Sequence, residues 1–153
     1  MSAASSVARA ALAWAVLAFL APVTRAQADE PTPQHSADCV AALEVAAKAM
    51  AEEMQNGKPE LEPELVRRLQ EGFAFIGTAY KQGLRKEEAD KLLKSSEEAV
   101  KSLPPAELEA RQQSCRAEGA QLLQRANFFE RAVVTHAAQR RVDKYKQSKP
   151  SSS

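Results

Sequence analysis

Cys39 and Cys115 are the only cysteines in this 153-residue chain, and His35 and His136 the only histidines. An even cysteine count favours one intramolecular bridge if the compartment is oxidising. On the chain-entropy model, closing a loop of about 75 residues contributes about 4 kcal/mol, a large share of a small domain's stability. Two free thiols, or a bridge between chains, are the alternatives. No Cys-x-x-Cys occurs, which removes dithiol exchange of that type. Covalent c-type haem attachment goes with it, because no Cys-x-x-Cys-His is present. Read along the chain, neither cysteine has a histidine or second cysteine within reach, so no metal site is expected.

His136 lies within Phe129-x-x-x-Val133-x-x-His136, near the apolar stripe of a helix, where a half-buried, hydrogen-bonded histidine is the plain expectation. The sharper alternative is a b-type haem or other small ligand held by His136 with Met50 or Met54 across a bundle, since His and Met form a low-spin ligand pair. His35 is placed in a solvated lead-in. No cofactor is expected.

Paired acids occur at Glu52-Glu53, Glu87-Glu88 and Glu97-Glu98. Adjacent helical residues diverge by about 100°, so these pairs cannot converge on one atom as general acid and base must. No nucleophile triad, phosphate-cradling glycine loop or zinc-protease motif appears. An enzyme is not expected.

Charge is unevenly placed. Residues 38–64 are acidic, whereas Arg140, Arg141, Lys144 and Lys146 make the carboxyl end basic. This cluster is either a helix end favoured by the dipole or a contact for an anionic surface. The densest aromatic stretch, Phe73 to Leu84, packs in the core or forms a small apolar groove.

The elements that must position these groups are helical. Residues 1–28 read as a signal peptide: Arg9 precedes an apolar run at 10–21, too short to span a bilayer, Pro22 breaks it, and Ala26 and Ala28 place small residues at −3 and −1 of a cleavage site. Removing them leaves 125 of the 153 residues, one domain's worth, and a net charge near −1 that gives no reason to expect nucleic acid binding. Residues 29–35 form a flexible lead-in, 36–146 the helical domain and 147–153 a disordered basic, serine-rich tail.

Within the domain, Ser36 caps a first helix whose stripe is Cys39, Ala42, Leu43, Ala46, Ala49, Met50 and Met54, ending at Asn56-Gly57. Pro63 opens a second helix with Leu65, Leu69, Phe73, Ile76 and Tyr80 inward, closed by Gly83. A third spans about 86–102 and stops at Pro104-Pro105. From Pro105 the pattern allows one bent helix to Lys146, or two helices divided at Asn127, where Asn127 and Glu130 have the spacing of a capping box.

The fold class is therefore all-α, a small antiparallel bundle of four to five helices after a cleaved signal peptide. The leading functional expectation is a periplasmic or secreted, non-enzymatic protein that binds an unknown protein or envelope component, with a role in stress or assembly. It does not span the membrane once the signal peptide is removed.

Overall fold

The computed structural model describes residues 30–148. The apolar run, the Ala26 and Ala28 cleavage site and residues 149–153 lie outside the described residues. Those described form an all-α bundle: α1 (Pro33–Gln55), a 3-10 turn (Pro59–Leu61), α2 (Glu62–Lys81), α3 (Lys86–Lys101), α4 (Pro105–Arg125) and α5 (Phe128–Gln147).

The first helix starts earlier than the apolar stripe suggests. Thr32 is its N-cap, its hydroxyl accepting from the His35 backbone N–H at 3.2 Å, and Pro33 fills the opening turn. Ser36, the expected cap, is buried inside the helix. Of the lead-in expected at 29–35, residues 33–35 are the first turn of α1. Pro31 is buried and its carbonyl accepts from Gln82 Nε2 at 3.0 Å, tying the entry of α1 to the end of α2.

Helix ends follow the glycines. Gly57 and Gly83 adopt φ of +105° and +91°, where a side chain is strained. Each supports a Schellman closure, with Lys58 N–H on Glu53 O at 3.2 Å and Leu84 N–H on Ala79 O at 3.1 Å. The stretch from Pro105 onward is two helices. Asn127 Oδ1 accepts from Glu130 N–H at 2.9 Å while Glu130 Oε2 accepts from Asn127 N–H at 3.0 Å, so both halves of a capping box are made.

The hairpin of α1 and α2 is the spine: α3 lies on α1, α5 on α2, and α4 across both. Alanines at 41, 42, 47 and 51 let neighbours approach α1 closely. Around that spine, Cys39, Leu43, Phe75, Cys115 and Leu122 pack at one level, and Met54, Leu65, Leu69, Ala138 and Val142 at another.

α2 and α4 meet at Gly119. A Cβ there would lie 2.8 Å from the backbone oxygen of Glu71, well inside normal contact. Gly119→Ala gains about 1 kcal/mol of helix propensity, but overpacking costs about 1–3 kcal/mol. A net loss of stability is expected in urea denaturation. An unchanged or raised midpoint would show that the helices can part without cost.

Candidate functional site

Cys39 and Cys115 form a disulfide between α1 and α4, with Cα atoms 5.3 Å apart and 76 residues of separation. Both are buried. Beside the bridge, His35 Nε2 is 2.7 Å from Glu118 Oε2 and 3.7 Å from Cys39 Sγ. The His35 ring stands edge-on to Phe75, with centroids 6.2 Å apart and planes at 72°.

The expectation that no ligating group stands near the cysteines fails here. Starting α1 at Pro33 puts His35 one turn before Cys39 on the same face, and Glu118 follows Cys115 by three residues on α4. Two helical pairs therefore face each other. The Thr32-Pro33 cap signal would have revealed it, had the helix been started there.

His136 and the methionines are not brought together. His136 is exposed, beside Arg131, Ala132, Thr135 and Gln139 on the outer face of α5. Met54 is buried in the core beneath that helix, and Met50 packs at the core's edge. His136 looks outward because Ala138 and Val142 are the residues that α5 turns to the spine.

Two of the four residues of the basic cluster are answered from within. Arg141 Nη2 lies 2.8 Å from Glu44 Oε1, and Lys146 Nζ lies 2.7 Å from Glu62 Oε1. Hydrogen bonding from Lys146 holds the Glu62 carboxyl below its usual range. The acidic segment 38–64 thus packs against the basic end, which removes the reason to expect Arg141 and Lys146 on an external anionic surface. Arg140 and Lys144 stay exposed.

A second charged cluster joins α2 to α4. Glu64 accepts from Arg68 at 2.8 Å, with Arg116 at 3.4 Å, and Glu71 is buried 3.7 Å from Arg116 Nε. Desolvation pushes the Glu71 carboxyl up, against the pull of Arg68 and Arg116. Arg68 Nε, Arg116 Nε and Glu71 Oε2 are buried without a hydrogen bond, and Arg68 also lines a small cleft with Glu44 and Arg141.

The amino-terminal half of α5 behaves differently from the rest. Phe128, Phe129 and Val133 are 82, 74 and 53% exposed. Phe129, Val133 and Val134 edge a cleft of about 330 Å³ between α2, α4 and α5, whose other walls include Ala74, Gly77, Leu122 and Leu123. At its rim Lys81 pairs with Glu130, and that hydrogen bond, with the Asn127 backbone N–H, keeps Glu130 below the usual carboxylate range. The aromatic stretch of α2 contributes Ala74, Gly77, Thr78 and Lys81 to this cleft and none of its aromatic side chains. Of the larger apolar side chains between Phe73 and Leu84, Ile76, Tyr80 and Leu84 line a separate cleft of about 180 Å³ against α1 and α3.

Comparison of the chain with protein-family models, curated proteins and solved structures returned no match.

Proposed function

We propose that the chain is an exported, non-enzymatic helical protein that binds another protein through the amino-terminal half of α5. The observation that carries this reading is the bare apolar surface of Phe128, Phe129 and Val133. Single exposed apolar residues are ordinary, but here Phe129 and Val133 edge a groove and Phe128 is exposed on the neighbouring face of the same turn, which together mark a contact surface. Aromatic side chains are also the commonest anchors of protein interfaces.

A small ligand accounts for less. The cleft is near the lower end of the 300–1,000 Å³ typical of ligand pockets. Filling it would still leave Phe128 in water, because Phe128 faces the other side of the helix with Arg131 and His136. A protein segment laid along α5 covers both sides. Export is supported by the signal-peptide pattern of residues 1–28 and is compatible with the bridge. No helix among the described residues is long and apolar enough to cross a membrane.

The test is a Phe129→Asp, Val133→Asp variant compared with the wild type for retention of proteins from the exported fraction of the source cell. Because both side chains are already wet, stability is expected to change by only about 0.5 kcal/mol, while retention of a discrete partner is lost. An unchanged set of retained proteins contradicts the proposal. So does a wild-type dimer in sedimentation that the variant abolishes, since the surface would then serve a second copy.

A further inference from the structure

We propose that reduction of the Cys39–Cys115 bridge turns His35, Cys39, Cys115 and Glu118 into a four-coordinate site for a borderline divalent ion, Zn²⁺ foremost. The ligand atoms of His35, Cys39 and Glu118 already lie within 4.8 Å of one another; Cys115 Sγ, bonded to Cys39 Sγ, is outside that group and has to turn toward it once released. Zinc takes Cys sulfur at about 2.3 Å and His nitrogen or carboxylate oxygen at about 2.0–2.2 Å in a tetrahedron. Those bond lengths place neighbouring ligand atoms about 3.3–3.8 Å apart. The 3.7 Å between Cys39 Sγ and His35 Nε2 meets this, and the 2.7 Å His35–Glu118 contact needs only a small opening.

The larger change is at sulfur, where two bonded atoms must part to non-bonded contact. With the Cα atoms 5.3 Å apart on two packed helices, the proposal requires side-chain rotation of both cysteines to supply that separation. Two further features suit a metal. The ring of His35 is held edge-on by Phe75, which fixes its direction, and the His35 side chain is 48% exposed, which gives the ion a way in. The ligands come from helical pairs at i,i+4 and i,i+3, the spacings at which one helix can offer two groups to one point.

The chemistry balances with a dithiol as reductant. Its thiolate attacks one bridge sulfur and expels the other as a thiolate; its second thiol then closes a cyclic disulfide and releases the remaining cysteine. Zn²⁺ binding displaces the protons of both thiols, and His35 coordinates in its neutral form. The bridge and the metal thus compete for the same two sulfurs: the oxidised chain offers only His35 and Glu118.

The experiment is an anaerobic titration of the dithiol-reduced, desalted chain with Co²⁺, whose visible and thiolate charge-transfer bands report tetrahedral sulfur coordination. One equivalent is expected to saturate the bands, Zn²⁺ to abolish them, and the oxidised chain to show none. His35→Gln and Glu118→Gln are each expected to weaken Co²⁺ binding by about tenfold or more. Both retain the two thiols, so a nonspecific dithiolate complex would leave their affinity unchanged, and that result would overturn the proposal. Absence of tetrahedral bands in the reduced wild type, whether it is folded or unfolded by circular dichroism, would overturn it as well.

Discussion

Replacing both bridge cysteines by Ser is expected to lower stability by about 2–5 kcal/mol, the usual cost of removing a native disulfide from a small exported domain. The bridge closes a 76-residue separation and fixes the start of α1 to the middle of α4. It lies among Leu43, Phe75 and Leu122, so two hydroxyls would also stand in apolar surroundings, adding to the entropic loss. Urea denaturation of the oxidised wild type and of the Cys39→Ser, Cys115→Ser variant measures it. A difference below about 1 kcal/mol would contradict this and place residual structure joining α1 and α4 in the unfolded state of the double-serine variant.

The second large effect is expected at Phe75. Its side chain is fully buried, against the bridge and the His35 ring, so Phe75→Ala removes an aromatic from the centre of the core at a cost of about 3–5 kcal/mol. Tyr80, which the helical stripe places inward, is 47% exposed, and Tyr80→Ala should cost well under half as much. Comparable losses from the two variants would return α2 to the orientation its stripe implies. The same Phe75→Ala variant should loosen the His35 ring, visible as a change in the ring's NMR shifts.

That contrast shows why α2 was only partly legible. A stripe of Leu65, Leu69, Phe73, Ile76 and Tyr80 is what a helix with one covered face would use. α2 is covered on several sides, by α1, α4 and α5, so Arg68, Glu71, Ala74, Phe75 and Ala79 are buried as well. Burial on several sides erases the period from which faces are read. The helix ends were clearer, because Gly57, Gly83, Pro105 and Asn127 act through local backbone geometry that tertiary packing leaves alone. The bridge was legible from the even cysteine count together with the compartment expected of the chain. Its neighbours were not, since the His35–Cys39 pairing depends on three residues of helix ahead of Ser36. The packing of acidic on basic ends was legible only as two charged segments, and the fold joined them.

The exposed half of α5 followed from no pattern in the chain. Phe129 and Val133 read as part of the apolar stripe of the last helix, but the way α5 docks, through Ala138 and Val142, leaves both of them and Phe128 uncovered. The sharpest test of the binding surface places a photo-reactive benzoylphenylalanine at position 129, with the same group at the exposed Lys94 position on α3 as control. Irradiated in the source cell, the chain is predicted to give one discrete heterologous adduct from position 129 and none of that mass from position 94. The same adducts from both positions, or none from position 129, would contradict a protein partner at α5.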